Sequence, residues 1–163
     1  MFYKNTKKYL FFLLFQSFLY SQERPIFEPQ EHNYLGTGIG VYSNDFGPLF
    51  QYEHGFDREW SAGFKIGGLF AYQNRKKWLQ MSIQGNYHLN RWVKIPQSMD
   101  WYFGLDLGAA IGLNHPNASP IVSAHMGYRY FFHKAVGLQI DAQGGWFLNG
   151  IGIGFVYRVN RKK

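Results

Sequence analysis

Eight runs of the sequence alternate apolar side chains with small or polar ones, and this period of two constrains the fold more than any other feature. In one of them, Leu79, Met81 and Ile83 fall on one face and polar side chains fall on the other. An α-helix would not keep either set on one side, whereas a strand does. The runs therefore predict β-strands. They cover residues 34–43, 48–54, 59–72, 78–90, 100–113, 120–132, 134–144 and 149–159.

The segments between the runs predict how the strands are connected. They are rich in turn-forming residues and have no helical periodicity, so hairpins between consecutive strands are the simplest topology. An even number of hairpin-linked strands can close into a barrel without an exposed edge. Most runs reach the ~9–11 residues that a tilted transmembrane strand needs. The predicted fold class is all-β, a closed antiparallel up-and-down transmembrane β-barrel of about eight strands.

Composition indicates which face of the strands points outward. Charged residues make up 17% of the chain, below the ~25% of ordinary globular proteins, and aromatic residues make up 20%. The face opposite the apolar one is rich in Gly, Ala and Ser, which suit a narrow lumen better than a surface in water. Aromatic residues also cluster near the ends of the runs, as in the girdles of membrane barrels. A soluble, lipocalin-like periplasmic barrel that binds an apolar ligand is the alternative.

The N-terminal segment, residues 1–21, has the organisation of a signal peptide. Three lysines precede an apolar run that is too short for a transmembrane helix, and Ser21 suits the cleavage position. We expect cleavage after Ser21, a flexible leader over residues 22–33 and a barrel domain over residues 34–163. An uncleaved membrane anchor is the competing interpretation. The absence of cysteine excludes disulfides, cysteine metal sites and a lipoprotein anchor.

The last part of the chain resembles a known family. Residues 127–138 (GYRYFFHKAVGL) and the glycine-alternating final run are similar to the closing strands of small bacterial outer-membrane β-barrel proteins of the OmpA/OmpX type. The resemblance covers residues 34–159. It implies a porin-like barrel in the outer membrane of a Gram-negative cell envelope. The implied partners are outer-membrane lipids and lipopolysaccharide, the barrel-assembly machinery and periplasmic chaperones; a protein partner stays unknown.

Six ionisable residues share the inward face of the predicted strands, three acidic and three basic. They are Glu53, Lys65, Asp106, Arg129, Asp141 and Arg158. Buried charges are tolerated when they are paired and hydrogen-bonded, so the balanced set predicts a lumen charge network that fills and rigidifies the barrel. A gated ion path is the functional alternative, although eight strands leave room for side chains rather than for a wide channel.

A hydrolase is a further hypothesis, because Ser123 and His125 share one strand face and some outer-membrane barrels are lipid A-modifying enzymes. Neighbours on one face lie ~7 Å apart, too far for a nucleophile and its base, so we interpret both as polar lumen residues. The scattered histidines predict no metal site, no motif predicts a cofactor, and the scattered basic residues indicate no nucleic-acid binding. The predicted role is structural, in membrane integrity, or partner-binding.

One basic loop, residues 74–77, has two interpretations. If the N-terminus is periplasmic, this loop faces outward and could contact lipopolysaccharide phosphates. A solvated basic turn is equally consistent with the residues.

Overall fold

The computed structural model describes residues 29–43, 45–71 and 76–160. In these ranges eight antiparallel strands pair in chain order, and the first pairs with the last to close a barrel. The strands are β1 (His32–Tyr42), β2 (Asp45–Gly55), β3 (Trp60–Ala71), β4 (Lys77–His88), β5 (Met99–Gly112), β6 (Ala118–Phe131), β7 (Val136–Trp146) and β8 (Gly150–Asn160). The predicted fold class, a closed up-and-down barrel of eight strands, is confirmed.

Strand boundaries differ from the predicted runs by at most three residues. The largest difference is at the start of β2, which begins at Asp45 inside a segment predicted as a turn. Gly47 and Pro48 both pair with β1, but the ladder between β2 and β3 skips them. Pro48 lacks a backbone N–H, so it cannot donate to that ladder. Because glycine and proline are typical of turns, the sequence predicted a run that starts three residues later than this eleven-residue strand.

The barrel begins inside the segment predicted as a leader. A short 3-10 helix, Pro29–Glu31, precedes β1, which starts at His32. The predicted signal peptide, residues 1–21, and leader residues 22–28 lie outside the described residues, as does the first half of the basic loop. Among the residues that the structure describes, no helix is long and apolar enough to cross a membrane.

The two ends of the barrel differ in their connections. The termini end carries the start of β1, the end of β8 and the connections 56–59, 89–98 and 132–135. The opposite end carries the end of β1, the start of β8 and the connections 113–117 and 147–149. The longest strand connection, residues 89–98, thus lies at the termini end.

Burial alternates along most of each strand, and the apolar face points outward, as predicted. Ile83, in the middle of β4, is 65% exposed, whereas its neighbour Gln84 is buried. This arrangement is the inverse of a water-soluble protein, in which large apolar side chains fill the interior. At the opposite end the lumen is filled by an apolar cluster of Tyr42, Leu69, Ala110, Ile121 and Leu148, with Trp78 and Phe147 packed against it. We call this group the apolar plug.

The seam between β1 and β8 depends on a close approach of two backbones. Gly38 and Gly154 are register partners, and a Cβ on Gly154 would lie 2.7 Å from the Cα of Gly38. Gly152, two residues earlier on the same face of β8, has more room, because a Cβ there would meet Leu49 Cδ2 at 3.5 Å. Glycine is therefore required at position 154 by the strand spacing and not at position 152.

We expect Gly154→Ala to destabilise the barrel by about 1–3 kcal/mol, because the added methyl group pushes β1 and β8 apart at the closing seam. Gly152→Ala is the matched control and should leave stability nearly unchanged. The measurement is the urea concentration at which half of the reconstituted protein loses the mobility of the folded form on an unheated SDS gel. Equal midpoints for the two variants would contradict the close-approach argument.

Candidate functional site

Inward-facing polar side chains form a connected hydrogen-bonded network in the lumen. Its members come from six strands, β2 to β7, and each is at most 6% exposed. They are Gln51, Glu53, Ser61, Lys65, Asn86, His88, Asp100, Tyr102, Asp106, His125, Arg129, Gln139 and Asp141. Closing a barrel forces every second side chain into the lumen, so these groups cannot reach bulk water and must satisfy one another.

Arg129, on β6, is the centre of the first half of the network. Its Nη1 donates to Asp100 at 3.0 Å and to Glu53 at 3.2 Å, and its Nη2 donates to Glu53 at 2.5 Å. Its Nε donates to Gln139 at 3.0 Å. One guanidinium thus joins β2, β5 and β7 across the lumen. Charge-assisted bonds of this kind are stronger than neutral ones.

Two tyrosine rings lie close to this guanidinium. The Cζ of Arg129 lies 4.8 Å from the ring centre of Tyr34 and 4.2 Å from that of Tyr102. Aromatic rings attract a cation placed over their faces, and the attraction is larger where water is excluded. Both rings are buried, so the arginine is held by hydrogen bonds and by ring contacts that water does not reach.

Ser61, His88 and Asp100 lie in the order of a hydrolase triad. The Oγ of Ser61 is 2.8 Å from Nε2 of His88, and Nδ1 of His88 is 2.7 Å from Oδ1 of Asp100. However, Ser61 also donates its hydroxyl proton to Oε1 of Glu53 at 2.7 Å. Because a hydroxyl has one proton and a carboxylate only accepts, Nε2 of His88 must donate to Ser61.

This donor role is the reverse of what a catalytic base does, since the base must accept the proton of the nucleophile. An imidazole that donates from both nitrogens carries a positive charge. His88 and Arg129 together then balance the two carboxylates, Glu53 and Asp100. The serine–histidine–aspartate arrangement is thus part of a neutral, buried charge cluster.

Asn86 connects this cluster to the second half of the network. Its Nδ2 donates to Glu53 at 2.8 Å, and its Oδ1 lies 2.7 Å from Nε2 of His125. Glu53 can only accept, which fixes the orientation of the Asn86 amide. Nδ1 of His125 lies 2.7 Å from Oδ2 of Asp106. Both ring nitrogens of His125 therefore face acceptors.

Lys65, on β3, lies between two carboxylates near the middle of the barrel. Its Nζ is 3.3 Å from Asp106 and 3.7 Å from Asp141. Asp141 also accepts from the hydroxyl of Tyr102 at 2.7 Å. Because Tyr102 also contacts Arg129, the two halves of the network are joined a second time.

Five of the six charged residues that the sequence places in the lumen meet in this network. They are Glu53, Lys65, Asp106, Arg129 and Asp141. The sixth, Arg158, lies nearer the termini end, where its Nη2 donates to the carbonyl oxygen of Gln97 at 2.9 Å. Its guanidinium lies over the ring of Phe131, 3.6 Å from the ring centre.

Sequence reasoning did not assign Ser61, Asn86, His88 or Asp100 to this network. The available signal was strand parity, that is, whether a residue lies an even or an odd number of positions from a known inward residue. Asn86 and His88 lie two and four positions from Gln84 and therefore share the inward face of β4. Asp100 has the same parity as Asp106 but lies at the start of its strand, where the predicted run began. Selecting charged residues alone left out the uncharged Ser61 and Asn86.

Ser123 and His125 do not act together. Ser123 accepts a hydrogen bond from Gln143 at 2.6 Å, whereas His125 is engaged with Asp106 and Asn86. Both side chains are buried in the lumen. The geometry thus gives the predicted hydrolase pair no nucleophile–base contact.

Two cavities lie near the network. One of about 20 Å³ lies beside the glycines of the β1–β8 seam and is lined in part by Gln139 and Asp141, with the volume of a single water site. The other is a cleft of about 470 Å³ that opens at the termini end between residues 31–32, 97–98, 131–134 and Arg158. At the opposite end the apolar plug fills the lumen.

Solved structures share the fold of this barrel. The outer membrane protein OprG from Pseudomonas aeruginosa is 10% identical, with a TM-score of 0.58, and the match covers 83% of this chain and 99% of that one. The N-terminal β-barrel domain of OprF from the same organism is 15% identical, with a TM-score of 0.55 and coverages of 80% and 98%. The fold is that of the small outer-membrane barrels. The predicted resemblance is confirmed at this level.

A de novo designed transmembrane β-barrel is also similar, at 13% identity and a TM-score of 0.54, with the match covering 79% of this chain and 96% of that one. No protein-family model and no curated protein matches the chain in sequence. At such identities the likeness concerns the fold alone, and a fold by itself assigns no activity.

We expect Arg129→Ala to destabilise the barrel by about 3–5 kcal/mol, because Glu53 and Asp100 would stay buried without that cation. The control is Arg91→Ala, which removes an ion pair with Glu59 at 3.5 Å whose arginine is 59% exposed. An exposed pair contributes only about 0–1 kcal/mol. Urea unfolding of the reconstituted protein, followed by gel mobility, measures both. If the two variants lost similar amounts of unfolding free energy, the buried ion pairs of Arg129 would stabilise the barrel no more than an exposed pair does.

Proposed function

We propose that this protein is an outer-membrane β-barrel with a structural role, in which a rigid, filled barrel contributes to the integrity of the membrane. The observation that carries the proposal is the inversion of burial, with apolar side chains outside and paired polar side chains inside. A continuous apolar exterior would be an aggregation hazard in water. In lipid it is the expected arrangement, because lipid-facing and lumen-facing residues alternate along each strand.

The filled lumen supports a structural role in preference to porin-like conduction. An ion that crossed the barrel would have to separate the contact between Lys65 and Asp106 and then pass the apolar plug. Moving a charge through an apolar, dry segment is costly. Tight ion pairs across the lumen also oppose the strand movements that a gated path would need.

The alternatives receive less support. A lipid A-modifying enzyme would need an accessible nucleophile, whereas Ser61 is buried and gives its proton to Glu53. A lipocalin-like barrel would need an apolar interior for its ligand, whereas the apolar face of this barrel points outward.

Export, orientation and partners are part of the proposal. Residues 1–21 would direct export, and periplasmic chaperones and the barrel-assembly machinery would deliver the chain to the membrane. We place the termini end in the periplasm, which directs the opposite end outward. There the exposed Lys76 and Lys77 would contact the phosphates of lipopolysaccharide.

A charge placed on the outer face tests the lipid-facing assignment. We expect Ile83→Lys, at the middle of β4, to cost about 2–4 kcal/mol, because a lysine at the bilayer midplane loses its hydration. Leu113→Lys, at a position 59% exposed just beyond β5, should cost only about 0–1 kcal/mol because it lies near the interface.

The measurement is the fraction of each variant in the outer-membrane fraction that migrates differently before and after boiling in SDS. A soluble barrel would tolerate both lysines equally and would be released with the periplasm. That result would overturn the membrane assignment and favour the soluble periplasmic barrel that binds an apolar ligand.

Conductance tests the filled lumen. We expect the protein, inserted into a planar lipid bilayer, to give no discrete current steps under an applied voltage, because the plug and the ion pairs block the path. An established porin inserted into the same bilayer is the positive control. Regular voltage-dependent steps from this protein would contradict a purely structural role and favour the gated ion path.

A further inference from the structure

The connection between β4 and β5, residues 89–98, presents an exposed tip whose composition is unusual for a turn in water. Trp92 is 73% exposed and Val93 is 52% exposed. The flanking Arg91 and Lys94 are also exposed. Two adjacent apolar residues between two basic ones, at the tip of the longest connection of the barrel, point to a surface that meets something other than water.

Hydrogen bonds hold this tip in one conformation. The backbone N–H of Trp92 donates to the carbonyl of Leu89 at 2.9 Å, and that of Ile95 donates to the carbonyl of Asn90 at 2.9 Å. The side chain of Asn90 is buried, donating to Asp100 at 2.8 Å and accepting from the N–H of Trp101 at 2.9 Å. The base of the loop is thus anchored in the lumen network, so the exposed tip is pre-organised.

The indole of Trp92 lies on the outer side of the barrel. Its Nε1 donates to the hydroxyl of Tyr87, an outward-facing residue of β4. Tyr87 in turn donates to Glu59 at 2.9 Å, and its ring lies 4.9 Å from that of Trp60. The loop therefore folds back beside the outer wall and does not cover the mouth of the lumen at this point.

Tyr87 belongs to a belt of outward-facing aromatic residues at the termini end. Each lies within three residues of the end of its strand: Trp60, Tyr87, Trp101, Tyr128, Tyr130 and Tyr157. Tryptophan and tyrosine concentrate at the membrane–water interface, where the ring meets the acyl chains and the polar atom meets water. Through its bond to Tyr87, Trp92 extends this belt beyond the strands.

We propose that the tip of this loop, residues 91–94, is a membrane-interface anchor that binds the phospholipid leaflet at the termini end. Trp92 and Val93 enter the boundary between headgroups and acyl chains, and Arg91 and Lys94 lie at the level of the lipid phosphates. This inference rests on the proposed membrane location. Phospholipid is the occupant that fits, since it matches an apolar pair flanked by cations and surrounds the neighbouring belt.

The absence of cysteine makes a direct test possible, because an introduced thiol is the only one in the chain. A nitroxide spin label is attached to Val93→Cys in protein purified from membranes and reconstituted into phosphatidylcholine–phosphatidylglycerol vesicles. Its collision rates with oxygen, which partitions into lipid, and with a water-soluble nickel chelate are compared. Ile83→Cys supplies the lipid-embedded reference, and Asp57→Cys, beside Arg58 in the turn between β2 and β3 at the same end, supplies the aqueous one.

We expect the oxygen-to-nickel ratio at Val93→Cys to be several-fold above that at Asp57→Cys and below that at Ile83→Cys. Adding Trp92→Ala should lower the ratio towards the aqueous value. A ratio equal to that at Asp57→Cys would overturn the anchor and leave a protein partner as the occupant of the tip. If Ile83→Cys itself is aqueous, the proposed membrane location fails, which is a distinguishable result.

Discussion

The interaction on which the structure depends is the pairing of Arg129 with Glu53 and Asp100 inside the lumen. In a closed barrel of eight strands, every second side chain must point into the lumen, so a charged residue on the inward face is buried even though its desolvation is unfavourable. Arg129 offsets two carboxylates from strands on different sides of the lumen, and its guanidinium also lies over the rings of Tyr34 and Tyr102. The wall and the interior therefore stabilise each other, because the ion pairs require closure and the closed wall excludes the water that would weaken them.

Parity explains why so much of the fold could be predicted from the sequence. Each side chain of a strand faces either the lumen or the outside, and an error of one residue would have inverted the whole pattern. The runs were long enough to fix this parity even where boundaries were off by two or three residues, as at the start of β2. The same alternation of inward and outward residues predicted that Glu53 and Arg129 face the lumen.

Parity does not say which inward groups touch. Glu53 and Arg129 are separated by 76 residues and by several strands, so their contact depends on how the barrel closes and on the stagger of its strands. That stagger is a global property, which no local run contains. For the same reason the meeting of Ser61, His88 and Asp100 and the separate position of Arg158 could not be read from the sequence. The hydrogen bond from Arg158 to Gln97 depends in addition on the path of the 89–98 connection, which the sequence does not predict.

The two ends of the lumen differ in how they are filled. One end is closed by apolar side chains, and the middle is held by ion pairs, so variation there would be destabilising. At the termini end, by contrast, the aromatic belt, the 89–98 connection and the open cleft next to Arg158 are all accessible. A designed barrel has the same fold, so what distinguishes this chain must lie in surfaces rather than in topology. Because Asn90 ties the exposed tip to Asp100, the buried network also sets the shape of that surface.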